Sequence, residues 1–170
     1  VWSDSIRAMD EGQDPHSIRP AKGIHITVPW GKVRNDIAAI IPVPKDKRSI
    51  FVVPWGEYTY VGTTDTDYEG DIDDPQCTPE DISYCIDAMN LVMSEKISES
   101  DVTAVWAGLR PLISGGTVGN KTADLSRKHG VSTSDGGVTT ITGGKLTTYR
   151  RMSADTVDRV ADRLGINAKS

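Results

Sequence analysis

The sequence predicts an α+β fold, an antiparallel sheet covered by helices, and three observations carry that prediction. Four β-like runs, GIHITV, AAIIPV, SIFVVPW and YTYVGTT, follow one another from Gly23, each bounded by Pro, Gly, Lys or Asp. Parallel neighbours would need a helical crossover between them, so such close spacing implies antiparallel pairing. The clear helical patterns, CTPEDISYCIDAMNLVM and KLTTYRRMSADTVDRVADRLG, stand after these strands rather than between them, which segregates helix from sheet. Finally, 170 residues with 37% hydrophobic and 25% charged content can bury a sizeable core.

Taken in order, residues 2–11 predict a short helix with Trp2, Ile6 and Met9 on one side. EGQDPHSIRPAKG is a polar connector punctuated by Pro15 and Pro20. After the strands, Thr78 is an N-cap, Pro79 suits a first helical turn, and Glu80 and Asp81 favour its positive end. Ile82, Ile86 and Met89 then form a stripe that would cover the sheet. DVTAVWAGLRPL and GVTTITGG read as two further strands, with SGGTVGNKTAD as a loop between them. The last helix carries Leu146, Tyr149, Met152, Val157, Val160, Ala161 and Leu164 at helical spacing, and Gly165 terminates it.

Charge narrows the partner. A formal net charge of −5, with 19 Lys and Arg scattered among 24 acidic residues, argues against nucleic acid and for a small molecule. No apolar run approaches the roughly 20 residues that span a bilayer. The amino terminus, VWSDSIRAMDEGQD, has neither the basic start nor the apolar middle of a signal peptide. It begins without Met, and the chain is read as a fragment of something longer. Cys77 and Cys85 suggest neither metal spacing nor a disulfide framework, and fit two reduced cysteines in a cytosolic protein.

Several motifs carry candidate chemistry. DTDYEGDIDDPQ imitates a calcium loop, with Asp65, Asp67, Glu69 and Asp71 at the odd ligand positions and Gly70 at the turn. Gln76 stands where a bidentate Glu is needed and a strand precedes the loop, so a solvated acidic loop is the better reading and no metal site is expected. SGGTVGNKT lacks the strand-to-helix context of a phosphate loop, and its NKT triplet at Asn120 means little without secretion. His25 faces the opposite side of its strand from Ile24 and Ile26, and a lone strand histidine is more often structural than catalytic. Arg110, inside an apolar strand before Pro111, needs either a salt-bridge partner or an anionic ligand. In ITGGKLTTYRRM, a strand passes through Gly143 and Gly144 into a helix with Lys145 at its head. That arrangement makes either an anion site or a tight turn with an exposed lysine.

FVVPWGEYTYVGTTDTDYEGD, AVWAGLRPL and TGGKLTTYRRM, in that order and spacing, closely resemble the FAD-dependent glycerol-3-phosphate dehydrogenases. VWSDSI and GIHITVP extend the resemblance from residue 1 to about residue 164. It implies that residues 1–21 end the FAD domain and its linker, 22–125 form the substrate-binding domain, and 126–170 return to the FAD domain as strand, GGK turn and helix. The glycine-rich GxGxxG loop is absent and would belong to the first half of the complete enzyme. By the same resemblance, Gly143, Gly144, Lys145, Leu146 and Thr147 lie at the pyrimidine end of the flavin. A helix N-terminus there would stabilise the reduced ring by on the order of 0.3–2 kcal/mol per interaction.

The resemblance also implies site roles. His25 would be a general base near the substrate C2 hydroxyl, and Arg110 would polarise that hydroxyl. Arg127 would hold the substrate phosphate, and Lys145 would reach substrate and flavin. The expected reaction converts sn-glycerol 3-phosphate to dihydroxyacetone phosphate, with electrons passing to quinone at the inner face of the cytoplasmic membrane, where the full enzyme would sit peripherally. Oxygen as acceptor is the sibling possibility. From another class comes a non-catalytic anion-binding or interaction domain, and the isolated fragment is expected to be inactive and to hold FAD weakly or not at all.

Overall fold

The computed structural model describes residues 1–44, 48–114 and 127–167. The chain forms two compact units, Val1–Ala21, Asp67–Ile72 and Arg110–Ser170 in the first, Lys22–Thr66 and Asp73–Leu109 in the second. The chain changes unit at Lys22 and again at Arg110.

The second unit is built on antiparallel pairing of β2 (Ala39–Val43), β3 (Arg48–Trp55), β4 (Tyr58–Gly62) and β1 (Ile18–Pro29). The sheet order is β2-β3-β4-β1-β5, where β5 is Thr66–Asp67, and β6 (Ala104–Ile113) also pairs with β1. Alternation along the strands decides the faces: Ile24, Ile26, Val28, Ile41, Val43, Ile50, Val52 and Val61 all turn inward. Helix α3 (Pro79–Asn90) covers that face with Cys85, Ile86, Ala88 and Met89. Its start follows the sequence closely, since Thr78 and Asp81 form a reciprocal capping box with Pro79 in the first turn. Asp81 is also buried against Lys22, whose Nζ donates to Oδ2 at 2.6 Å and to the Gln76 carbonyl at 3.1 Å. A single helical turn, α2 (Trp30–Val33), follows β1.

In the first unit, α1 (Ser3–Glu11) forms as expected, but its apolar side faces out, with Trp2, Ile6 and Met9 all exposed. The inward residue is Asp4, whose carboxylate accepts from the Ser17 hydroxyl at 2.5 Å and the Ile18 N–H at 2.8 Å. Those bonds hold the start of β1, which begins at Ile18 inside the stretch the sequence reading left as connector. A further difference is β7 (His129–Thr133), a strand missed in the sequence, which pairs antiparallel with β8 (Thr139–Gly143). Gly137, at φ 100°, sits in the turn between them, and its N–H donates to the Ser134 carbonyl. Helix α4 (Tyr149–Arg163) turns Met152 and Ala161 inward while Tyr149, Val157 and Leu164 stay exposed.

The acidic stretch serves pairing within each unit. Arg19 donates to the Asp67 carboxylate at 2.8 Å in the first, and Arg48 to the Asp65 carbonyl at 2.7 Å in the second. Among the described residues, no group of His, Cys, Asp and Glu gathers to hold a metal ion.

Candidate functional site

In the second unit, the strand alternation that buries Ile24 and Ile26 turns His25 to the face opposite the core. Its cross-strand neighbour on β4 is Gly62. A Cβ at Gly62 would lie 2.4 Å from His25 Cδ2, 2.8 Å from Cγ and 2.7 Å from the Ile24 carbonyl oxygen, so glycine is what lets the imidazole lie against the strand. Trp106 of β6 stacks on the imidazole, ring centroids 5.2 Å apart and planes inclined by 12°. Tyr60 of β4 meets it edge-on at 6.0 Å. Beside these rings opens a cavity of about 340 Å³ lined by Thr27, Trp55, Tyr58, Tyr60 and Trp106. A half-buried imidazole can take a proton from a hydroxyl that reaches it. The sequence reading found His25 but not this aromatic frame. Strand parity alone could not supply it, because which β4 residues stand opposite Thr27 and His25 depends on register.

The GGK turn belongs to the first unit. Gly143 and Gly144 have φ of 72° and 79°, the left-handed region that favours glycine. Packing adds a second reason for both. A Cβ at Gly143 would meet the Lys128 carbonyl oxygen at 2.7 Å, and one at Gly144 would meet Met152 Sδ at 2.5 Å. The inner side of the corner is therefore filled by the chain's own atoms, while Lys145, Leu146, Thr147 and Thr148 are exposed on the outside. The chain does not pass straight into α4, because a 3₁₀ turn at Leu146–Thr148 intervenes. The Lys145 N–H donates to Thr148 Oγ1 at 3.1 Å, whereas the N–H groups of Leu146 and Thr147 meet no acceptor among the described residues.

The structure thus gathers Gly143, Gly144, Lys145, Leu146 and Thr147 at one corner of the first unit, the unit that also contains Arg110 and Arg127, both half-buried. His25 belongs to the second unit. Most of the phosphate-loop-like SGGTVGNKT, with Asn120, lies outside the described residues. Beside the GGK corner, His129 Nε2 and Asp155 Oδ2 are 2.8 Å apart, and Arg151 also reaches Asp155, which ties β7 to α4.

Neither cysteine is set up as a nucleophile. Burial pushes the Cys85 thiol up to about 12, with the Asp81 carboxylate adding to it, and burial also raises Cys77. Among the described residues, no helix is long and apolar enough to cross a membrane.

Residues 1–150 match the family described as FAD dependent oxidoreductase. Glycerol-3-phosphate dehydrogenase 2 of Mycobacterium bovis is 39% identical over 158 residues, covering 93% of this chain and 26% of that protein. The aerobic glycerol-3-phosphate dehydrogenase of Staphylococcus aureus is 38% identical over 164 residues, covering 96% of this chain and 29% of that protein. The crystal structure of the Bacillus halodurans glycerol-3-phosphate dehydrogenase complexed with FAD superposes with a TM-score of 0.80 at 36% identity, covering 98% of this chain and 31% of that one. The chain therefore spans less than a third of the length of each of these relatives.

Proposed function

Because the chain belongs to the FAD-dependent oxidoreductase family, we propose that it is part of a flavoprotein that oxidises sn-glycerol 3-phosphate to dihydroxyacetone phosphate. The observation that carries this reading is 36–39% identity across nearly the whole chain to proteins bearing the glycerol-3-phosphate dehydrogenase name, one of them complexed with FAD.

His25 takes the proton of the C2 hydroxyl, a role supported by its half-buried place on the sheet face opposite the core. Arg110 is assigned the polarising of a substrate hydroxyl. Arg127 binds the phosphate dianion through charge-assisted hydrogen bonds, and Lys145 adds positive charge toward substrate and cofactor. The GGK corner suits the pyrimidine end of a flavin in its chemistry, because the backbone N–H groups of the exposed Leu146 and Thr147 and the Lys145 ammonium are donors beside the start of a helix. FAD, when bound, supplies the acceptor for the hydride that leaves C2.

The finer reading is a peripheral enzyme at the inner face of the cytoplasmic membrane that passes its electrons to quinone. Under air, the FAD-containing enzyme is expected to reduce a soluble quinone on adding sn-glycerol 3-phosphate without accumulating peroxide. Peroxide formed mole for mole with product would assign oxygen as acceptor instead. Anaerobic addition of the same substrate should bleach the flavin absorbance, and an unchanged spectrum would refute the substrate assignment. The 170-residue chain alone, with less than a third of its relatives' length, is expected to be colourless and inactive; a stoichiometric yellow cofactor surviving purification would overturn that expectation.

A further inference from the structure

We infer that Trp106 is a positioning residue for His25, its indole and the Gly62 notch together holding the imidazole in one orientation on the open face of the sheet. The catalytic consequence rests on the general-base reading of His25; the positioning itself rests on geometry within the second unit.

An imidazole standing on the uncovered face of a strand ordinarily samples several staggered χ1 wells and a broad χ2 range. Surfaces of the second unit restrict His25 from several sides. The Gly62 backbone is the first, since the imidazole Cγ–Cδ2 edge occupies the place a Cβ would take. That contact puts the ring's hydrocarbon edge against β4 and turns its nitrogen-bearing edge away from Gly62. The Trp106 indole is the second, nearly parallel at 5.2 Å, so swinging the imidazole out of its plane on that side meets the indole. Tyr60, edge-on at 6.0 Å to the imidazole and 6.3 Å from the Trp106 ring, closes the corner.

The indole is itself anchored. The Thr103 N–H donates to the Thr27 carbonyl at 2.8 Å and the two threonine hydroxyls share a hydrogen bond at 2.9 Å, which fixes β6 on β1 just before Trp106. Trp106 is 46% exposed, so shortening it removes a wall without opening a hole in the core. Gly62 cannot be varied as cleanly, because any side chain there also strikes the Ile24 carbonyl. Trp106 is therefore the residue through which the orientation can be tested while the fold is kept.

A misplacement of about 1 Å in a catalytic group can cost on the order of a hundredfold in rate. Trp106→Leu in the FAD-containing enzyme is expected to lower kcat by roughly ten- to a hundredfold with KM changed less than about threefold, because the base survives and only its aim is lost. Trp106→Phe, which retains an aromatic face, should recover kcat to within about threefold of the parent. The independent readout is NMR of the same protein labelled with ¹³C at histidine Cε1, in which His25→Gln identifies the His25 signal. That signal should sit upfield in the parent and in Trp106→Phe, and move downfield and broaden in Trp106→Leu, while retained flavin reports that each variant folds. An unmoved His25 signal in Trp106→Leu, or equal kcat in the Leu and Phe variants, overturns the inference. Full turnover by His25→Gln would instead sink the general-base reading, and the NMR comparison would still judge the positioning by itself.

Discussion

Replacing Lys22 by Met should destabilise the second unit by about 3 kcal/mol. Methionine matches the length of the lysine stem, so the change removes charge rather than volume. The side chains of Lys22 and Asp81 are only 9% and 6% exposed, and Nζ stands 2.6 Å from Oδ2. Removing one partner of such a pair strands a buried charge, which typically costs about 3–5 kcal/mol. Asp81 keeps two other donors, the Thr78 N–H at 3.0 Å and the Thr78 hydroxyl at 3.2 Å, which places the cost at the lower end. A loss of about 3 kcal/mol is roughly a hundredfold in the ratio of folded to unfolded chains. Urea unfolding followed by tryptophan fluorescence reads it as a lower midpoint at unchanged slope. Adding Asp81→Asn, which removes the stranded charge while keeping an acceptor for Thr78, should recover part of the loss. A cost below about 1 kcal/mol would mean that the pair behaves like a surface salt bridge, and the reasoning about its burial would fail.

Gly62→Ala should cost about 1–3 kcal/mol by forcing β4 from β1, and should shift the His25 NMR signal as well; unchanged stability would show that the strands give way without strain. Cys85 should resist a thiol-reactive aromatic disulfide at pH 8 in the folded chain and react only after unfolding, since its thiol is held up to about 12; rapid labelling of both cysteines in the native state would refute this. Asp101 is held below the ordinary carboxylate value first by the hydrogen bond from the Lys32 ammonium and then by the Ser98 N–H. A depressed folded value contributes stability that is present above about pH 4 and lost as pH falls through the folded value. Lys32 is raised by the same contact, so its share is present below its ordinary value and lost as pH rises beyond it. Unfolding midpoints of Asp101→Asn should accordingly fall less steeply than the parent's below about pH 4, and parallel acid limbs would exclude the pairing as a source of pH dependence.

Much of the fold was legible because its determinants are local. Thr78, Pro79 and Asp81 specify the start of α3 within a few residues, and the alternation in GIHITV says which side chains reach the core before any partner strand is known. Where local patterns were weak or misleading, reading failed. In β7, Gly130, Ser132 and Thr133 blur the alternation, and its pairing with β8 depends on a turn around Gly137 that composition does not announce. In α1 the sequence showed Trp2, Ile6 and Met9 on one side but not which side is buried, and Asp4 is the residue held inside by Ser17 and Ile18.

By itself the sequence determined most of the elements, the alternation that turns Ile24 and Ile26 away from His25, the capped helix over the sheet and the acidic balance of the chain. Tertiary structure alone decided that Gly62 and Tyr60 of β4 and Trp106 of β6 would meet His25, and that Lys22 would find Asp81. The physical reason is that strand alternation and helix capping act between near neighbours, whereas a stacked ring or a buried ion pair joins residues whose approach depends on strand register, and no short stretch of sequence records register.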